Sequence, residues 1–333
     1  MAAALLLLAA VLIDAAIGDP VYPWHPVRLM GKTAAAVENL LRKTGWVGYC
    51  GGGLLLLLMV TLFGGGSFLL MTSLQTVNRW LAALGGLFLL YSSIALTDMF
   101  RHAAPVATAL RRQEADAARQ EVQKIVGRDA HLLDEQGIAR AAVESVAESF
   151  VDGFLSPLFW FSVGAAGAAF AGTDPVIWGV AAAITYRVTN TLDSMVGYRN
   201  ERYRRFGTAA ARSDDFLNFI PARLAIPILT LAALVSGHDA KACWKVALRD
   251  RLKHASPNSG HAESSVAGAL GIRLGGPTVY PHGTVDKPWL GDQFPAAVDA
   301  RSIEDCCRLV RSAGWIGLFF SLVLLATLAA ATG

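Results

Sequence analysis

Seven apolar runs separated by two hydrophilic regions set the pattern of this chain. The runs cover residues 2–18, 47–72, 79–97, 154–172, 176–196, 216–236 and 313–331. At 1.5 Å per residue, about 20 helical residues cross a hydrocarbon core of about 30 Å, so each run is a candidate membrane span. Hydrophilic regions lie at 98–150 and 237–311. The pattern predicts an all-α fold: a polytopic integral-membrane helical bundle, one membrane-embedded domain over residues 1–333, with hydrophilic helical cytoplasmic loops.

The first run has no Lys or Arg before it and carries Asp14 inside it, which fits an uncleaved membrane helix better than a secretory signal. The second is interrupted by Gly51–Gly53 and Gly64–Gly66, the mark of close helix packing or a broken helix. Between Arg101 and Arg140 the sequence reads as a water-exposed amphipathic helix ended at Gly127. A second helix, entered near Asp134, then leads into the fourth run. Residues 216–236 contain Pro221 and Pro227, each of which removes a backbone donor, so this run is kinked or re-entrant. Its crossing is awkward. A single pass would put Lys241, Lys245, Arg249, Arg251 and Lys253 on the opposite side from Arg199, Arg202, Arg204, Arg205 and Arg212, against the positive-inside rule.

Composition supports the membrane reading. Charged residues are 17% of the 333, against a usual fraction of roughly 25%, and mean hydropathy is +0.43. A net charge of +3 gives no case for nucleic acid. Cys50, Cys243, Cys306 and Cys307 form no CxxC pair and have no His at zinc spacing, so they read as plain thiols.

The candidate chemistry centres on the stretch from Arg128 to Trp160. Glu144, Glu148 and Asp152 recur every fourth residue and so share one helical face, with no Lys or Arg among them to offset their repulsion. A hydrated Mg²⁺ carrying phosphates would offset it, because such an ion needs only one or two carboxylates. A solvated polar face is the simpler alternative. Near the start, His25 and Arg28 stand between prolines and aromatics at a membrane edge, where a basic anchor is also a sufficient explanation. Arg187, Asn190, Thr191, Ser194 and Tyr198 form a polar stripe beside Asp193 on an otherwise apolar helix. Such a stripe faces a wet cavity or makes interhelical hydrogen bonds. In the second hydrophilic region, Pro257, Asn258, Ser259 and Gly260 form a turn feeding a helix near Ala262 whose free N–H groups would suit an anion. Lys253, His254 and His261 flank it. Ser264 with Gly268, and Ala267 with Gly271, are small pairs that admit a close helix neighbour.

Four blocks in this order, GDPVYPWHPVRLMGK, AAVESVAESFVDGFLSPLFW, TYRVTNTLDSMVGYRNERYRRFG with SDDFLNFIPARL, and HASPNSGHAESSVAGALGIRLGGP, resemble the adenosylcobinamide-phosphate synthase family of cobalamin biosynthesis (CbiB/CobD). The likeness covers nearly the whole chain. Family members carry proline before the glutamate of the last block; here Ala262 stands there, after His261. The resemblance implies an ATP-dependent amide ligase of the cell (inner) membrane, with a cytoplasmic site. It would join adenosylcobyric acid to (R)-1-aminopropan-2-ol or its O-phosphate. Implied partners are the corrinoid, the amine, the bilayer and other late enzymes of the pathway; Mg²⁺ and ATP are the implied cofactor and co-substrate. On residue chemistry, Glu144, Glu148 and Asp152 are assigned to metal, with Asp214 and Asp215 as secondary ligands. His25 or His254 would accept the ammonium proton, with Glu144 and Glu148 as further catalytic groups. Arg28, Arg187, Asn190, Lys253, Asn258, Ser259, Gly260 and Glu263 would hold substrate or phosphate. No Walker-type loop is present. A transporter, or an accessory or signalling membrane protein without ligase activity, is the alternative.

Overall fold

The computed structural model describes residues 1–333 apart from Val21, Arg128, Arg199, Pro281, His282, Ala296 and Gly333. Arg128, at the head of the acidic stretch, and Arg199, of the arginine run, thus lie outside the described residues. The protein is 77% helical with almost no strand, as an all-α membrane bundle requires. Packing divides the chain into two compact units. Unit 1 comprises residues 1–95, 156–218 and 318–333, and unit 2 residues 96–155 and 219–317.

Unit 1 is built from α1 (Ala2–Ile17), α2 (Pro26–Lys43), α3 (Gly48–Met59), α4 (Gly66–Val77), α5 (Arg79–Tyr91) and the end of the last helix. The middle segment adds α9 (Ser156–Phe170), α10 (Pro175–Val196) and α11 (Thr208–Leu217). A π-helical turn, Val60–Gly65, joins α3 to α4. Both readings of the glycines there hold: the helix is irregular, and a Cβ on Gly64 would lie 2.4 Å from Thr185 Oγ1 of α10. The Thr173-Asp174-Pro175 turn starts α10, with Asp174 Oδ1 accepting from the N–H groups of Val176 and Ile177 at 2.8 and 3.1 Å. Buried Glu38 of α2 ties down the basic loop after α10. Arg42 Nε and Arg202 Nη2 both donate to its Oε1, at 2.7 and 3.0 Å.

Unit 2 contains α6 (Leu96–Arg111), α7 (Ala115–Gln123), α8 (Glu135–Phe150), α12 (Phe219–Val235), α13 (Ala240–Asp250), α14 (Ser259–Leu270) and the first part of α15 (Ala300–Thr332). Its core is α14, buried at every position from Ser259 to Ala269. Helices α8, α12 and α13 pack around it. Gly268 admits α13, since a Cβ there would lie 2.5 Å from Ala242 O. Short strands were not expected in the region 237–311. β1 (Leu274–Gly275) pairs antiparallel with β4 (Trp289–Leu290), and β2 (Thr278–Tyr280) with β3 (Gly283–Val285).

Among the described residues, four helices are long and apolar enough to cross a membrane: Gly48–Val77, Arg79–Arg111, Glu135–Phe170 and Ala300–Thr332. A fifth exists if α11 and α12 count as one broken span. Three expectations change here. Helix α1, formed by the 2–18 run, is apolar but only 16 residues long, short of the roughly 20 needed for a full span. The break in the 216–236 run falls at Asn218, ahead of both prolines, and Pro227 is accommodated within α12. Helix α10 forms as the 176–196 run predicts but is not in this apolar set, because Arg187 and Asn190 lower its hydropathy.

Candidate active site

Unit 2 brings together two blocks that are more than a hundred residues apart in sequence. Asp134 caps α8 by accepting from Gly137 N–H at 2.7 Å, as expected for a helix entered there. Glu148 Oε1 of α8 accepts from Ser259 Oγ at 2.8 Å, at the first residue of α14. Glu144 Oε1, one turn earlier, accepts from Gly275 N–H at 2.7 Å. Gly275 has φ +72°, a conformation open to glycine, which turns its N–H toward α8. Glu144 then lines a cleft of about 340 Å³ together with Lys253, His254, Glu263, Asp286 and Lys287.

The cleft's polar groups are held from behind. Lys253 Nζ lies 2.8 Å from Oδ1 of Asp250, whose side chain is fully buried. Arg249 grips the same carboxylate with two hydrogen bonds of 2.7 and 2.6 Å, and Gly291 N–H adds a third at 2.8 Å. Burial alone would raise the pKa of Asp250. The hydrogen bonds from Arg249, Lys253 and Gly291 outweigh it and hold the carboxyl at about 2. His254 Nδ1 accepts from Ser256 N–H at 3.0 Å, which places the neutral ring's hydrogen on Nε2, 3.8 Å from Glu263 Oε1. The guanidinium groups of Arg140 and Arg273 stand 5.1 and 4.9 Å from the centroid of Trp289 in β4.

The turn before α14 differs from expectation. The helix begins at Ser259, three residues before Ala262, and Ser256 Oγ accepts from the N–H groups of Asn258 and Ser259 at 3.2 and 3.3 Å. Two donors expected to be open to an anion are therefore in use. Gly260 is a packing residue: a Cβ there would lie 2.4 Å from Arg251 O. His261 is fully buried, and neither ring nitrogen has a hydrogen-bond partner among the described residues. Burial lowers its pKa to about 4, and the charges of Arg223 and Arg251 act in the same direction. The acidic stripe is also shorter than its spacing suggests. Helix α8 is regular only to Phe150, and Asp152 sits in the π-helical turn Val151–Leu155, where the four-residue register ends. Among the described residues no three His, Cys, Asp or Glu side chains converge to hold a metal ion.

Unit 1 holds the remaining candidates. His25 stands at the N-cap position of α2 and is buried, with Nε2 2.7 Å from Asp19 Oδ1, while Arg28, one turn on, is exposed. Arg187 Nη1 donates to Asn190 Oδ1 at 3.3 Å, and Asn190 Nδ2 donates to Asp214 Oδ1 at 3.1 Å. Asn218 Nδ2 donates to the other oxygen of Asp214 at 3.0 Å, and its own Oδ1 accepts from Ser156 Oγ and Tyr186 at 2.6 and 3.0 Å. Asp214 is thus a buried acceptor in a polar network; Asp215 beside it is partly exposed. Sequence reasoning missed Asp19, Asn218, Asp250 and Lys287. The one available signal was the three-residue spacing of Asp250 and Lys253.

A family model described as CobD/Cbib protein matches residues 7–310. The cobalamin biosynthesis protein CobD of Listeria monocytogenes serotype 4b (strain F2365) is 37% identical over 319 residues, covering 94% of this chain and 96% of its own. The protein of the same name from Klebsiella pneumoniae subsp. pneumoniae is 36% identical over 316 residues, with 94% and 93% covered. That from Geobacter metallireducens is 39% identical over 306 residues, with 92% of each covered. No solved structure matches the chain.

Proposed function

Because the chain belongs to the CobD/CbiB family of cobalamin biosynthesis, we propose that it is an adenosylcobinamide-phosphate synthase. It would be an ATP-dependent ligase of the cell (inner) membrane, joining adenosylcobyric acid to (R)-1-aminopropan-2-ol or its O-phosphate at a cytoplasm-facing site. The observation that carries this reading is the unit 2 cleft, where Glu144, Lys253, His254 and Glu263 from two separated blocks line one cavity.

A carboxylate is a poor electrophile, so amide synthesis proceeds best through an acyl phosphate. A carboxylate oxygen of the corrinoid attacks the γ-phosphorus of ATP, ADP departs, the amine nitrogen attacks the carbonyl carbon, and inorganic phosphate leaves. Lys253 and Lys287 offset charge on the transferring phosphoryl group. Asp250 keeps the Lys253 ammonium aimed into the cleft. The ammonium proton passes to the Glu263 carboxylate, which faces His254 Nε2 at 3.8 Å. Glu144 and Glu148, hard oxygen donors on successive turns of α8, fit an Mg²⁺ that completes its shell with water and phosphate oxygens; a cage made wholly of protein ligands does not fit. When bound, that ion supplies charge neutralisation to the phosphates. Arg28, Arg187 and Asn190 of unit 1 are proposed to bind substrate through their own contacts, and Asp214 to hold Asn190 in place.

Incubating the purified protein with adenosylcobyric acid, Mg·ATP and either aminopropanol or its phosphate tests the reading. The expected result is amide product with one phosphate released per turnover, lost in Glu148→Gln. Product from both proteins would keep the ligase and remove Glu148 from its machinery. Folded protein that forms no product with either amine would overturn the proposal.

A further inference from the structure

The outer face of α13 does not belong to the cleft. Stepping 100° per residue around this helix and its continuation, Lys241, Trp244, Lys245, Leu248, Arg251 and Leu252 fall within an arc of about 120°. Cys243, Val246, Ala247 and Asp250 occupy the opposite arc and are buried against unit 2. On the outer arc Trp244 is 43% exposed, Leu248 45% and Leu252 71%, and Lys241 and Lys245 are exposed between them. No carboxylate stands on this arc. On α12, which packs against α13, Leu231 and Leu234 are exposed as well.

Three large apolar side chains facing water would be an unexplained cost, and a purely apolar partner would leave the interleaved cations without counter-charge. A bilayer interface with anionic headgroups meets both demands. Tryptophan settles at the headgroup level, leucines enter the acyl boundary, and lysine stems reach outward to phosphates. We propose that α13 lies flat on the membrane as an interfacial helix, its Trp244–Leu248–Leu252 stripe in the outer acyl layer and Lys241, Lys245 and Arg251 bound to anionic phospholipid headgroups. The five cations between Lys241 and Lys253 then stay near one membrane surface. This surface stands whether or not the ligase reading does.

The test uses the full chain in a Cys50→Ser background, spin-labelled at Trp244→Cys, Leu248→Cys or Leu252→Cys, with the parent lacking the added cysteine as blank. Each is reconstituted into phosphatidylcholine with or without phosphatidylglycerol. Collision with oxygen reports acyl surroundings, and collision with a water-soluble nickel chelate reports solvent. All three labels should favour oxygen in the anionic bilayer, and Lys241→Gln with Lys245→Gln should reverse that preference. The same double variant should retain roughly tenfold less phosphatidylglycerol relative to phosphatidylcholine. Nickel access at all three positions, shielding from both reagents as under a second protein, or identical behaviour in the two lipids would each overturn the proposal.

Discussion

Two buried ionisable groups of unit 2 respond to pH in different windows. The carboxyl of Asp250, held at about 2, is depressed below its ordinary value of about 3.8. Its contribution is therefore complete above about pH 4 and is lost as pH falls toward 2, a difference of about 2 kcal/mol. His261 is depressed as well, to about 4. The unfolded chain takes up a proton near pH 6.5 while the folded one resists it, so stability is full above about 6.5 and about 3 kcal/mol is lost between there and about 4. Melting temperature in detergent should fall in two steps, the first between pH 6.5 and 4. His261→Phe should remove that first step and match or exceed the parent at pH 7, because a buried imidazole with two unpartnered nitrogens is replaced by an apolar ring of similar size. An unchanged first step in His261→Phe would assign the loss elsewhere. Asp250→Ala removes the buried acceptor shared by Arg249, Lys253 and Gly291 N–H, leaving the two cations to Asp292, and should cost about 2–3 kcal/mol.

At the scale of elements, glycines separate contact from permissiveness. Gly268 lets α13 close on α14, and an added Cβ would sit 2.5 Å from Ala242 O, a backbone atom that cannot turn aside. Gly268→Ala should cost about 1–3 kcal/mol in denaturant unfolding. Gly53 in α3 has nothing within 4 Å of its Cβ position. Gly53→Ala should therefore be neutral or stabilise by about 0.5–1 kcal/mol, since helical alanine loses less backbone entropy. Equal effects at the two sites would refute the packing account of α14. The pair Ser264 and Gly268 made the close approach legible in the sequence, whereas Gly271 of the second small pair ends α14 with φ +67°, and among the described residues a Cβ there would come no closer than 4.0 Å, to Phe294. The capping of α14 was not legible. Ser256 lies outside the helix, and only the folded turn brings its hydroxyl to the two N–H groups it accepts from.

At the scale of the whole molecule, the apolar runs made the helical membrane fold readable, since burial of about 20 apolar residues leaves few alternatives. The division into two units was not readable, because each unit is assembled from separated segments and no composition shift marks the crossings at Ala95, Leu155, Asn218 and Gly317. The site was legible in part for the same reason. Glu144, Glu148, Lys253, His254 and Glu263 stood out as chemistry-bearing types, but Asp250 became visible only once its three donors converged. This arrangement makes ligand binding measurable apart from turnover. A ligand that binds only the folded state stabilises by about 2.7 kcal/mol at a hundred times its dissociation constant. For a chain of this size that is a rise of roughly 5–10 °C in melting temperature. Mg·ATP should raise the melting temperature of the parent and of Gly53→Ala alike. The shift should shrink in Lys253→Met and Glu148→Gln if the cleft holds the phosphates. A full shift in both Lys253→Met and Glu148→Gln would place nucleotide binding elsewhere and leave the unit 2 cleft without its proposed role.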